Sequence, residues 1–310
     1  MYIDNCIIVM QGGVYMGGDY TKRAILKQVD KFYELVKASN DFEKVKEVYW
    51  YLEMEINELK KDKFKSNSSG IKLGIEEFDS KIGSFNNGDL IVLAGLPSTG
   101  KTLIACDMIY HNITKFNKKG LLFSVEIPKE QIIKRFELDG KEIEPLINNL
   151  IINDTSAICI EDIVKESTRL KEEKGIDFIV IDYLGLIYST DDLVKNSRMR
   201  EYLITKKLNE LAKKLNVPII VLSLLGRTVL RRKDKKPVLD DLCHSIKSDA
   251  FIERIILVHG WNLFTDDEPF EDSLELIIAK NRFGPTGTIK LTKDNCDLVK
   301  RLSKYRNYKI

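Results

Sequence analysis

Gly95-Leu96-Pro97-Ser98-Thr99-Gly100-Lys101-Thr102 fits the pattern G-x-x-x-x-G-K-[ST], in which a loop of backbone N–H groups closes around phosphate oxygens. The apolar run Leu90-Ile91-Val92-Leu93-Ala94 before it reads as a short buried strand, and Leu103-Ile104-Ala105 onward reads as a helix. This strand-loop-helix context separates the match from an ordinary glycine turn with a solvated lysine. In that setting the helix N-terminus faces the β-phosphate, Lys101 reaches the β and γ oxygens, and the Thr102 hydroxyl can ligate Mg²⁺. Gly95, Pro97, Ser98, Thr99 and Gly100 supply the rest of the nucleotide-binding loop.

Outward from the loop, strand-like and helix-like segments alternate. Leu121 to Glu126, Asp177 to Asp182, Pro218 to Ser223 and Arg254 to His259 read as strands, with helices at Cys159 to Lys174 and Ser197 to Leu215. Such alternation predicts an α/β fold with a mostly parallel sheet covered by helices. Leu274 to Lys280 and Thr288 to Thr292, joined by Gly284-Pro285-Thr286-Gly287, read as a hairpin.

Two carboxylates end apolar runs where an open α/β sheet binds its ligands. Asp182 closes Phe178-Ile179-Val180-Ile181, the place of the Walker B carboxylate that holds the Mg²⁺ shell. Glu126 closes Leu122-Phe123-Ser124-Val125 and is the candidate general base for the attacking water, with a surface salt bridge as the rival reading.

The 310 residues suffice for one large domain, or for one domain with an appendage. Basic and acidic residues nearly balance, 49 against 47, so attraction to a polyanion depends on local clusters. The five cysteines are widely spaced and the three histidines lack metal-ligand spacing. The run Cys6 to Met10 is too short for a membrane span and lacks signal-peptide features, which predicts a cytoplasmic protein with no membrane association.

Ile25, Val29, Phe32 and Val36, then Val45, Val48, Tyr49, Leu52, Ile56 and Leu59, predict two amphipathic helices. A pair that small must pack on the main domain or on another chain. The Lys-, Ser- and Asn-rich stretch Lys60 to Gly70 reads as a linker. The expected division is an arm and helical hairpin over 1–66, then an ATPase domain over 67–310.

The densest basic cluster is Arg227, Arg231, Arg232, Lys233, Lys235 and Lys236, in the loop after the Pro218 to Ser223 strand. Together these cations can neutralise several phosphates and give salt-sensitive, sequence-independent binding, with a solvated loop as the rival reading. Lys300, Arg301, Lys304, Arg306 and Lys309, interleaved with Tyr305 and Tyr308, form a second basic run.

Several blocks, in order, resemble the ATPase domain of DnaB-type replicative helicases. They are Gly74-Ile75-Glu76-Glu77-Phe78-Asp79, Gly88-Asp89-Leu90 into the phosphate loop, Phe123-Ser124-Val125-Glu126-Ile127-Pro128, Ile181-Asp182-Tyr183-Leu184, Leu211-Ala212-Lys213-Lys214-Leu215-Asn216-Val217-Pro218, and Ile278-Ala279-Lys280-Asn281-Arg282-Phe283-Gly284-Pro285-Thr286-Gly287. The resemblance implies a RecA-like core in a homo-oligomeric, hexameric ring, with ATP bound between subunits and single-stranded DNA in the channel. It makes Glu126 the hydrolytic base, Asp182 the Mg²⁺ carboxylate, and Lys280 with Arg282 the pair that reaches a neighbour's γ-phosphate. It also puts the basic loop in the channel and a helicase loader among the partners.

Three departures stand beside the resemblance. Leu224 follows Leu222-Ser223 where the family has a Gln that senses the γ-phosphate, and a leucine cannot hydrogen-bond to phosphate. Asp241 to Ala250 is shorter than the family's version and has Lys247 where the family has Glu. The family's globular N-terminal domain is not recognisable, so primase contact is not carried over. Leu224 and the missing collar leave an alternative: an ATP-binding paralogue that joins or regulates a ring without unwinding. A recombinase or KaiC-like member of the wider superfamily lacks the Ile278 to Gly287 block.

Overall fold

The computed structural model describes residues 70–190, 197–242, 251–260 and 273–301. The expected arm, hairpin and linker up to residue 69, most of the 241–250 segment and most of the C-terminal basic run lie outside the described residues. The described elements are α1 (Glu76–Ile82), β1 (Leu90–Gly95), α2 (Lys101–Phe116), β2 (Gly120–Ser124), α3 (Lys129–Leu138), α4 (Glu144–Asn149), β3 (Leu150–Asn153), α5 (Ile160–Lys174), β4 (Phe178–Asp182), α6 (Ser197–Leu215), β5 (Ile219–Leu224), β6 (Arg254–His259), β7 (Ser273–Asn281) and β8 (Gly287–Thr292).

These strands make one eight-stranded sheet in the order β3-β2-β4-β5-β1-β6-β7-β8. The pairings from β3 through β6 are parallel, and β7 and β8 add antiparallel strands at one edge. The expected mostly parallel, helix-covered sheet is therefore present. Every residue of β1 is buried, as a central strand covered on both faces requires. Its side chains alternate between two cores. Ile91 and Leu93 join the layer formed with α2, whereas Leu90, Val92 and Ala94 join the layer that includes residues of α5 and α6.

Boundaries follow local chemistry. The α5 helix starts one residue later than the pattern predicts, because Cys159 is its N-cap and its Sγ accepts the Asp162 N–H. Gly175 ends that helix at φ 69°, a left-handed cap that suits a residue without Cβ. The strand β3, at the far edge of the parallel set, is an addition to the sequence reading. It is four residues long and only half-buried, and its apolar run Leu150-Ile151-Ile152 is too short to mark a strand by itself. On α2, Asn112 exchanges hydrogen bonds with the backbone of Lys72, and Asp107 pairs with both Lys141 and Arg301. These contacts tie segments distant in sequence to the helix that follows the phosphate loop. No helix among the described residues is long and apolar enough to cross a membrane.

Phe178 opens β4 fully buried beneath Gly120, where an added Cβ would meet its ring at 2.5 Å. Phe178→Ala removes that ring and leaves a cavity in the layer shared with α2, which is expected to cost about 3–5 kcal/mol of stability. Urea denaturation reads this as a lower midpoint with an unchanged slope.

Candidate nucleotide site

The phosphate loop leaves β1 at Gly95 and enters α2 at Lys101. Crowding explains the first glycine, since a Cβ at Gly95 would lie 2.6 Å from Thr99 Oγ1 and 3.1 Å from the Val258 carbonyl. Within the turn Ser98 has φ 60° and Gly100 has φ 87°, and Thr99 closes it by donating its hydroxyl to Leu96 O at 2.8 Å. Gly100 caps α2 without a side-chain hydrogen bond, and no acidic residue stands in the first turn. The uncapped N–H groups and the positive end of the helix dipole therefore face the loop with no acidic residue of the helix's own first turn against them, which suits a bound phosphate.

Lys101 is almost buried and donates from Nζ to Gly95 O at 3.0 Å and Leu96 O at 2.7 Å. Burial lowers its pKa to about 8 against the opposing attraction of Asp182 and Glu126. The Thr102 hydroxyl donates to Asp182 Oδ2 at 2.7 Å, so two hard oxygen donors sit together at the loop's mouth. Burial raises the Asp182 pKa, the Thr102 hydrogen bond opposes that shift, and Glu126 adds to it. Oxygen donors beside a phosphate cradle are what Mg²⁺ takes when it also binds nucleotide phosphates, so the residues present fit ATP and Mg²⁺.

Glu126 reaches the same edge by a different route from the expected one. It does not end a strand: β2 stops at Ser124, whose hydroxyl donates to Ile127 O at 2.5 Å and bends the chain. One further pairing, Val125 N–H to Asp182 O at 2.9 Å, holds the bend against β4 and leaves Glu126 exposed. Lys101, Thr102, Glu126 and Asp182 are thus brought together at the carboxyl ends of β1, β2 and β4.

Lys280 and Arg282 are not part of that group. Antiparallel pairing sets Lys280 against Ile255 and Asn281 against Arg254, at the amino end of β6. Arg282 N–H donates to Glu253 O at 2.9 Å, and Glu253 N–H donates to Leu90 O at 3.0 Å, the first residue of β1. The phosphate loop leaves from the last residue of β1, about 17 Å along the strand. Arg282 and the loop of the same chain therefore lie at opposite ends of the strands.

The basic cluster divides. Arg232 grips Asp241 with two bonds, of 2.8 and 2.5 Å, and donates to Lys236 O at 2.6 Å, so it braces the loop and does not stand open as the sequence suggests. Lys236 pairs with Glu275 of β7 at 2.8 Å. Arg231 and Lys233 are exposed. The Arg227 side chain lies outside the described residues. Sequence reasoning missed Glu253 and Arg254, both buried at the start of β6, although two charges interrupting Ile252 and Ile255-Ile256 are a visible signal.

The family described as DnaB-like helicase C terminal domain matches residues 70–146 and 140–297. The chain belongs to that family. The replicative DNA helicase DnaB of Geobacillus stearothermophilus is 33% identical over 264 residues, covering 77% of this chain and 57% of that protein. The replicative DNA helicase DnaC of Bacillus subtilis is 30% identical over 296 residues, covering 87% of this chain and 63% of that protein. The chain thus spans about three fifths of the length of these curated relatives. Among solved structures, one ATPase domain superposes with a TM-score of 0.65 at 25% identity, covering 80% of this chain and 94% of that one. A DnaB-like replicative helicase, solved for its interactions with primase, shares the fold with a TM-score of 0.66 at 23% identity, covering 87% of this chain and 74% of that one. The sheet described above is the RecA-like core of DnaB-type ATPase domains.

In this DnaB-like domain the lowered Lys101 pKa sets the expected pH dependence of phosphate binding at the loop. Below about pH 8 the side chain is charged; above it, binding must first restore the proton. Affinity for nucleotide is therefore expected to fall as pH rises through about 8, with proton uptake, and Lys101→Met should lose that dependence. Calorimetry in buffers of different ionisation enthalpy reads both effects. The unfolded chain binds the extra proton between about 8 and 10.5, so the same residue makes the free protein more stable as pH rises through that window.

Proposed function

We propose that this chain works as an ATP-dependent helicase and translocase of the DnaB-like type, moving on single-stranded DNA during replication and hydrolysing ATP at the contacts between subunits of a hexameric ring. The observation that carries the reading is the separation of Arg282 from the phosphate loop across the full length of β1. Arg282 cannot serve its own nucleotide, so a role in hydrolysis requires a second copy of the chain. Membership in the DnaB-like family and the naming of both relatives as replicative helicases support the same reading.

In this reading the loop amides and Lys101 bind the ATP phosphates. Thr102 and Asp182 hold Mg²⁺, which supplies positive charge where the phosphoryl group is transferred. Glu126, exposed at the carboxyl edge, orients the attacking water and accepts its proton. Lys280 and Arg282 of a neighbour approach the γ-phosphate from the other side, where a cation stabilises developing charge. Arg231 and Lys233, exposed on the loop after β5, track the DNA backbone, while Arg232 and Lys236 hold that loop to Asp241 and Glu275.

Steady-state ATPase assays with and without single-stranded DNA test the proposal. DNA should raise turnover, and Lys101→Ala and Arg282→Ala should each lower it by about three orders of magnitude or more. Mixing the two variants should restore part of the activity, because a Lys101→Ala subunit lends its intact Arg282 to a neighbour with an intact loop. An Arg282→Ala protein that hydrolyses like wild type would sink the shared-site reading. Hydrolysis indifferent to DNA would favour a regulatory paralogue instead.

DNA binding has its own signature. Arg231→Ala and Lys233→Ala should each reduce the slope of log affinity against log salt by about one, with little effect on stability. Arg232→Ala leaves the buried Asp241 carboxylate with the Val238 N–H but without its cation, and its expected signature is a lower denaturation midpoint.

A further inference from the structure

Two charges are buried at the root of the strand pair that carries Arg282. Glu253 is 4% exposed and Arg254 is 3% exposed, and an unsatisfied charge at that depth would be costly. Both are partnered within the fold, and each of them also touches the segment Asn281-Arg282. One Glu253 carboxylate oxygen accepts the Leu90 N–H at 2.9 Å, and the other lies 3.8 Å from Arg282 Nη1. Asn209 of α6 donates to the Phe251 carbonyl at 2.6 Å and approaches the carboxylate at 3.4 Å. The Glu253 carbonyl also accepts the Arg282 N–H.

Arg254 holds the residues on either side of Arg282. Its guanidinium donates to Asn281 Oδ1 at 3.1 Å and to Ser84 O at 2.6 Å, and it lies against the rings of Phe85 and Phe283, 5.6 and 5.8 Å from their centres. Asn281 in turn accepts the Phe283 N–H at 3.3 Å and donates to Pro285 O at 3.1 Å, which closes the turn after Arg282. Arg282 is therefore fixed at its own backbone by Glu253 and at both neighbours by Arg254, while its side chain meets Glu253 at the longer distance of 3.8 Å.

We propose that Glu253 and Arg254 are positioning residues that aim Arg282 at the phosphates of a neighbouring subunit. The proposal rests on the trans role of Arg282 proposed above. An apolar pair of similar volume would fill the same space at no desolvation cost, but it would give neither a carboxylate facing Arg282 nor a planar fork bridging Ser84 and Asn281. Glu253 also supplies a resting partner that a phosphate can replace, because the 3.8 Å contact breaks without disturbing the backbone bond at Arg282.

The test is a double-mutant cycle on the full chain. Glu253→Gln keeps the shape and the acceptor for Leu90 but removes the charge facing Arg282. Arg254→Lys keeps the buried charge but loses the fork and the ring contacts. Each should lower kcat about tenfold at saturating ATP, with KM within about twofold and nucleotide-analogue binding unchanged. In an Arg282→Ala background, single-turnover hydrolysis of radiolabelled ATP should show no further loss from either change. A loss of equal size with and without Arg282, or no loss of kcat from either single variant, would overturn the positioning role. Wild-type turnover in Arg282→Ala alone would overturn the trans assignment and this proposal with it, a result recognisably different from the other two. Should Glu253→Gln fail to fold, Arg254→Lys carries the same cycle on its own.

Discussion

The parallel register of β1 between β5 and β6 is the constraint on which the rest of the molecule depends. Leu90 at one end pairs with Ile219 and Gly95 at the other with Leu224 and Val258, so neither end can shift without moving the whole sheet. The phosphate loop leaves from one end, and the Glu253 and Arg282 contacts gather at the other. A strand buried on both faces is a rigid spacer, and its length keeps the anion-binding loop and the proposed trans cation of one subunit permanently apart. In the proposed ring, this separation would leave each subunit one half-site to offer in each direction.

Electrostatics at the two edges are built differently. At the carboxyl edge, Lys101, Asp182 and Glu126 influence one another at short range, and burial pushes the lysine down and Asp182 up. Both shifts disfavour the charged forms, so the site gains by receiving phosphate and cation together. At the amino edge the buried ions are already satisfied within the fold, by Leu90, Ser84 and Asn281, and Arg282 stands exposed beside them. Here burial raises the pKa of Glu253 and lowers that of Arg254, and the hydrogen bonds keep the pair in place. One edge is prepared to accept charge from outside; the other is prepared to present it.

How much of this is legible in the residues depends on how local the chemistry is. The phosphate loop is readable because its glycines, lysine and threonine act within one turn, and Asp182 because it ends an apolar run. The parallel sheet is readable because its core strands are long and apolar. The strand β3 is not, since a short edge strand with half-buried residues has no pattern of its own. The displacement of Glu126 past the end of β2 depends on one serine hydroxyl, and no spacing rule registers that. Arg232 looks like one more cation in a cluster because its partner, Asp241, is nine residues away and faces it only once the loop is folded. Glu253 and Arg254 take their meaning from Ser84, Leu90 and Asn281, which only the tertiary structure brings near.

Leu224 shows what such folding can substitute. The resemblance expects a glutamine at this position, and register places it beside Gly95, at the mouth of the phosphate loop, with its side chain exposed. A leucine offers no hydrogen bond to a phosphate oxygen. The link between the two loops in this chain is main chain instead: Leu225 N–H donates to Gly95 O at 3.2 Å, and Gly226 N–H donates to Asp241 O at 3.0 Å. Asp241 is held by Arg232, and Lys236 joins the same loop to Glu275 opposite His259. Gly95 and the basic loop are thus joined by backbone hydrogen bonds and two ion pairs, contacts to which the side chain at position 224 contributes no hydrogen bond.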